Sequence, residues 1–270
     1  MANAWVLRPL PIAAASATST AAGYDPMNVA NDYSGVVWKS ATGLSFRRIT
    51  IDLGAGNQAA PDTALLFGCT GATSAWTLLV EGSTDSATTT SIWSSGTIPF
   101  LAGETMPTHG RGVGWWESAT TTANRRYWRF TIAGLGTDAA TVGRIVLGNR
   151  LTLERNFGFG AGFGLRDLGA VDFSAQGVML RRRAAKLRTV GLSFAHVRED
   201  EVEAKVQPLI ELVGSQEPIA LVTDPAADAM RQRRCYFGPL TGDLGTVRRN
   251  ASAYEWRASL VDLITIPRAG

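Results

Sequence analysis

A chain of 270 residues that is 45% hydrophobic has material for one large all-β domain or two ordinary ones, and a net charge of +3 is too mild for a dedicated nucleic-acid binder. Cys69 and Cys235 fall far apart in regions of different character, so they read as buried free thiols. Together with two histidines they cannot build a zinc site of the usual cysteine–histidine spacing. No stretch reaches the roughly 18 uninterrupted apolar residues of a membrane span, so no membrane insertion is expected.

The N-terminal "MANAWVLRPLPIAAASATSTAAGYDP" lacks a basic leading region, and Pro9 and Pro11 interrupt the place of an apolar export core. It reads as an extended arm leading into the first strand, on a protein made and kept in the cytoplasm. Residues 1–153 then read as all-β. In "FRRITIDLG" (46–54) Ile49, Ile51 and Leu53 share one face, and in "WTLLVEGS" (76–83) Trp76, Leu78 and Val80 do the same. "TALLFGC" (63–69) and "VGRIVLGNRLTL" (142–153) are further strands, joined by Gly-, Ser- and Thr-rich loops such as "STDSATTTS" (83–91). "ANRRYWRFTIAG" (123–134) concentrates arginine and aromatics, but its period of two sets Trp128, Phe130 and Ile132 against Tyr127, Arg129 and Thr131. It is read as scaffold, with Arg125 and Arg126 at the strand's entry.

Around residue 154 the character changes. "RNFGFGAGFGLRDLGAVDFS" (155–174) is a Gly-aromatic run whose phenylalanines are expected to pack and whose glycines permit a bend or a close subunit contact. "RRRAAKLRTVGLSF" (181–194) is basic and then becomes a strand with Val190, Leu192 and Phe194 on one face. "EDEVEAKVQPLIELVG" (199–214) is the one good helix, with Val202, Val206, Leu209, Ile210 and Val213 in a stripe, acidic residues at its N-terminal end and Gly214 to end it. Pro208 predicts a kink or break. Strands follow in "EPIALVTD" (217–224), "RCYFGPLT" (234–241) and "AYEWRASLVDLI" (253–264). The fold class is mainly β: a β-sandwich jelly roll over 1–153, then a β-sandwich domain with one flanking helix over 154–270.

Little in the chain looks like catalysis. His109 and His196 stand in no Ser-His-Asp, HExxH or Cys-His context, and a G-x-S-x-G elbow is absent. No enzymatic activity or cofactor is therefore expected, and no metal ligands are assigned, which leaves only oxygen-ligated metals open. In "MPTHGRGVGWW" (106–116), Trp115 and Trp116 cannot both face one core if the segment is extended, which offers an exposed ring for a sugar or an interface. The alternative is that one packs in the sandwich and the other caps its edge. Arg181, Arg182, Arg183, Lys186 and Arg188 form a basic cluster able to meet acidic surfaces of a neighbouring subunit or line a channel that passes DNA. Arg231, Arg233, Arg234, Arg248 and Arg249 add charge to the same region, and a solvated face is the alternative.

Two family resemblances rest on these segments. The order "NVANDYSGVVWKSA" (28–41), "ITIDLG", "WTLLVEGSTD", "RRYWRFTIAG" and "GRIVLG" resembles the discoidin or galactose-binding-like jelly roll. That resemblance implies ligand or calcium contacts in the loop holding Asp32, Tyr33 and Trp38. The order of elements over 186–264 resembles the tube-derived domain of phage tails. Together they resemble a distal tail or tail-tip protein of long-tailed, siphovirus-like phages. The resemblance implies a virion protein that forms a ring with copies of itself, contacts the tail tube and other tail-tip proteins, passes DNA only as cargo, and carries a peripheral domain able to meet a host-surface glycan. The rival expectation is a carbohydrate-binding module of a surface or secreted protein, with Asp32, Trp38, Trp115 and Trp116 as its candidate sugar contacts. A glycan-cleaving enzyme, which would need two facing carboxylates, is a third.

Overall fold

A computed structural model describes residues 2–33, 35–120, 122–250 and 252–264. The protein is mainly β, and its contacts divide it into two units. The first holds residues 1–152 together with 220–235, and the second holds 153–219 together with 236–270. The division differs from a single cut after residue 153 in that one segment, 220–235, which returns to the first unit.

The first unit is built on an antiparallel five-stranded sheet, ordered Ala14–Ala17, Phe46–Asp52, Tyr127–Ala133, Thr77–Ser83, Trp93–Pro99, and a three-stranded sheet, ordered Arg144–Gly148, Thr63–Thr70, Arg111–Glu117. The N-terminal arm contributes two strands, Trp5–Leu7 and Ala14–Ala17, rather than running unpaired to the first one. Alternation sends Ile49, Ile51, Trp76, Leu78, Val80, Trp128, Phe130 and Ile132 into one core, joined by Ala64, Leu66 and Trp116 of the smaller sheet. At its centre Trp128 lies 6.0 Å from Trp116 and 5.8 Å from Trp93, ring centre to ring centre. The strand beside Trp128 presents Gly82, where a Cβ would come within 2.9 Å of the indole; the glycine is what lets the ring lie across its neighbour. The other face is charged. Arg129 pairs with Glu81 directly across the strands at 2.9 Å, and Arg126 grips Asp52 with two bonds of 2.6 and 2.7 Å, holding that carboxyl below its ordinary range.

In the second unit, a sheet runs in the order Cys235–Thr241, Tyr254–Val261, Lys186–Val197, Gly162–Asp167, with Thr246–Arg248 also paired to Tyr254–Val261. Val190, Leu192 and Phe194 are buried, as are Trp256, Ala258 and Leu260 on the neighbouring strand, and Phe194 stacks on Trp256 with centroids 5.2 Å apart. The helical segment is Glu199–Glu201, Val202–Val206 and Gln207–Val213, and its middle stretch is π-helical. Pro208 explains this: its ring would strike the carbonyl of Ala204, and the wider turn preceding it makes room. Val202, Val206, Leu209 and Val213 form the buried stripe. Among the described residues no helix is long and apolar enough to cross a membrane.

Arg188 and Asp262 form a buried ion pair in this unit, 2.5 Å apart at the closest approach. The Asp262 carboxylate also accepts the backbone N–H groups of Phe237 and Ile264, so it ties three strands' ends together. Burial pushes its carboxyl above the usual range, with Arg188 acting against that.

Two substitutions test these interiors. Trp128→Ala should cost about 3–5 kcal/mol through lost burial and a residual cavity, read from equilibrium urea unfolding; a near-neutral result would show a ring that is not packed. Arg188→Ala should cost about 3–5 kcal/mol because it strands the Asp262 charge. A loss below about 1 kcal/mol would instead mark a solvent-screened pair.

Candidate functional site

The strand Arg111–Glu117 decides the fate of the two adjacent tryptophans. Trp116 points into the sandwich core and is 2% exposed; Trp115 points the other way and is 5% exposed. The expectation of an exposed ring is therefore not met, because this strand is covered on both faces. Trp5 stacks on Trp115 with centroids 5.1 Å apart, and the guanidinium of Arg231 lies 4.2 Å from the Trp115 ring centre. Arg150 sits 4.7 Å from the Trp5 ring in turn, and Glu117 pairs with both arginines, at 3.1 Å to Arg150 and 3.8 Å to Arg231. The returning segment is anchored beside it by Gln232. Its amide donates to the carbonyls of Gly103 and Thr105, while its carbonyl oxygen accepts the N–H of Val113 at 2.9 Å.

Trp38 is likewise fully buried, its indole N–H reaching the Thr20 hydroxyl at 3.4 Å. Of the four candidate sugar contacts only Asp32 reaches solvent, with its carboxylate 3.3 Å from Arg144. Beside it Tyr33, which belongs to the same loop, is 74% exposed. The structure does not gather the three tryptophans into a ligand face. Among the described residues no three His, Cys, Asp or Glu side chains stand close enough together to hold a metal ion.

The basic cluster is also dispersed. Arg188 turns inward to Asp262 and is mostly shielded from solvent, and Lys186 faces Asp167 at 3.9 Å on the surface. Arg181 and Arg182 stand on opposite faces of a two-stranded hairpin, Ala170–Phe173 with Met179–Arg182, and Arg183 follows it. Arg231 and Arg234 belong to the first unit, where Arg234 pairs with Asp224 and Asp228, so they do not add to the cluster. Arg249 is held by Glu255, whose carboxyl is drawn down to about 2 by hydrogen bonds from Arg257, Arg249 and Ser193.

What the sequence reading did not find is apolar. Every residue of Gly162–Asp167, Ala170–Phe173 and Met179–Arg182 is exposed. Phe163 is 58% exposed, Val171 and Phe173 64% each, and Leu165, Leu180 and Met179 are at least half exposed. The expectation that the phenylalanines of this run pack holds for Phe157, which meets Phe194 edge to face, and fails for Phe159, Phe163 and Phe173. The signal was present as large apolar residues, Phe163 and Leu165, Val171 and Phe173, Met179 and Leu180, on strands too short to bury them. At the other end of Lys186–Val197, an open cleft of about 870 Å³ is lined by Glu154, Glu199, Asp200 and Glu203 against Arg155 and Arg198.

No protein-family model matches the sequence, and a search of curated proteins returns no match. Among solved structures the chain is similar to chitosan-binding module 1 of a chitosanase/glucanase from Paenibacillus sp. IK-5, at 18% identity and a TM-score of 0.42, over 52% of this chain and 98% of the module. It is similar to a fucose-binding module of Streptococcus pneumoniae at 10% identity and a TM-score of 0.36, over 52% of this chain and 96% of that one. A Ruminococcus gnavus GH29 fucosidase is similar at 14% identity and a TM-score of 0.37, over 51% of this chain and 25% of the enzyme.

Proposed function

We propose that this chain is a non-enzymatic structural protein that assembles with copies of itself through its second unit and presents its first unit, a jelly-roll sandwich, at the periphery. The observation that carries this reading is the exposed apolar surface of Gly162–Asp167, Ala170–Phe173 and Met179–Arg182. A well-packed chain leaves single apolar residues in water but seldom a contiguous set of this kind, and a set of this kind marks an interaction site. In its finer form the reading is a distal tail component of a long-tailed phage, with the second unit forming a ring that continues the tail tube. That form is supported by the order of strands and helix over 186–264 and by the sandwich that precedes it.

A second reading, a carbohydrate-binding module, is favoured by Tyr33. An exposed phenol ring next to the Asp32–Arg144 pair combines a flat apolar face with hydrogen-bonding charges, which is what a pyranose ring requires. The two readings are compatible on one chain.

Sedimentation and negative-stain imaging of the purified protein test the first. Closed ring-shaped oligomers are expected, dispersed by Leu165→Asp combined with Phe173→Asp; a strict monomer at high micromolar concentration would sink it. A glycan array tests the second. Saturable binding lost in Tyr33→Ala, with oligomerisation intact, is expected, and an array without any hit would remove it.

A further inference from the structure

We infer that the hairpin Ala170–Phe173 with Met179–Arg182 is a docking arm whose partner is the acidic cleft of a second copy of this chain. The inference rests on the self-assembly reading and names the surfaces that would carry it. Four observations point to this pairing. The arm is exposed on both faces, Val171, Phe173 and Met179 on one and Leu180 on the other, and among the described residues its strands pair only with each other. Arg181, Arg182 and Arg183 give it a basic edge against the single carboxylate of Asp172. The cleft carries a net opposite charge: Glu154, Glu199, Asp200 and Glu203 outnumber Arg155 and Arg198, and although Arg198 pairs with Glu154 and Asp200, Glu199 and Glu203 stand exposed at its rim. Finally, the strand Lys186–Val197 separates the two surfaces: the arm ends just before Lys186, and the first cleft residue along this strand is His196, near its other end.

That separation matters. Twelve extended residues at about 3.3 Å each span roughly 35–40 Å, so an arm cannot reach the cleft of its own chain along this strand. Two different surfaces at opposite ends of one unit make a head-to-tail contact, which closes into a ring when the rotation per copy permits. Pairing the arm with its own copy about a two-fold axis would instead bring like arginine clusters together. An anionic membrane is the other surface that basic and apolar residues could meet. Against it stands the hairpin tip, Ser174-Ala175-Gln176-Gly177, which is polar and small where an inserting loop would be apolar.

Charge exchange tests the pairing in the full chain. Arg181→Glu with Arg182→Glu gives an arm variant, and Glu199→Lys with Glu203→Lys gives a cleft variant; all four positions are exposed, and circular dichroism with thermal melts checks that both fold. A neutralised cleft, Glu199→Gln with Glu203→Gln, serves in place of the lysine variant if the latter melts early. Each variant alone should self-associate at least about tenfold more weakly than the parent, as expected for charge pairs across an interface. An equimolar mixture of arm and cleft variants, or all four changes in one chain, should restore assembly; with the neutralised cleft the readout is the weakening alone. If the parent assembles but the arm variant assembles equally well, or neither the mixture nor the fourfold variant recovers, the pairing is wrong and self-assembly runs through another surface. If the parent stays monomeric and floats with phosphatidylcholine–phosphatidylserine vesicles, the membrane is the partner, and the self-assembly reading falls with the pairing.

Discussion

The first unit depends on the strand Arg111–Glu117 being covered on both faces. A strand in a two-layer sandwich ordinarily has one face in the core and one in water, and its sequence then alternates. Here the residues Gly112 to Trp116 are all buried, because the second face is closed by Trp5, Arg150 and Arg231. Large rings on adjacent residues would be costly to leave exposed and are costly to pack on one side. Covering both sides resolves the conflict, and it requires the N-terminal strand Trp5–Leu7 and the segment 220–235 to be where they are. The buried amide of Gln232 supports this reading of the segment, since each of its polar atoms finds a backbone partner in the 103–113 stretch.

Much of the fold was legible in the sequence, and most of what was missed depends on partners distant along the chain. Period-two alternation placed Ile49, Ile51, Trp76, Leu78, Val80, Trp128, Phe130 and Ile132 in the core because each lies on, or for Trp76 just before, a strand with one wet face. The helix was legible from its stripe and Pro208 from its missing donor. The π-helical form of the kink was not, since several distortions relieve the same clash. Trp115 and Trp116 misled because alternation assumes that the second face is solvent, and the covering residues lie about 110 positions away in either direction along the chain. The return of 220–235 to the first unit was invisible for the same reason. Arg188 read as surface charge because its partner, Asp262, is 74 residues distant.

Once these long-range pairs are removed, the charges fall into two groups. Arg126, Arg129, Arg150, Arg188 and Arg231 are held by carboxylates in partly or fully buried geometry and serve the scaffold. Arg181 and Arg182 stand instead among exposed apolar residues on an exposed hairpin. The distinction separates arginines that fix a fold from arginines that stand in solvent. Composition and a net charge of +3 cannot make it, because both groups count alike in the total.

A two-stranded hairpin is marginal in water by itself, and one with apolar side chains on both faces exposes open edges to indiscriminate pairing. Natural edges are protected by charge, and here the protection is one-sided: arginines cluster on the second strand while the first carries Val171 and Phe173. On the docking proposal, such an arm would keep copies apart where arginine meets arginine and let them join where arginine meets carboxylate. The apolar flank then supplies burial, which is non-directional, and the charges supply the choice of partner and register, which burial alone does not. A surface built this way favours one heterologous contact over the many sticky ones that its hydrophobicity would otherwise permit.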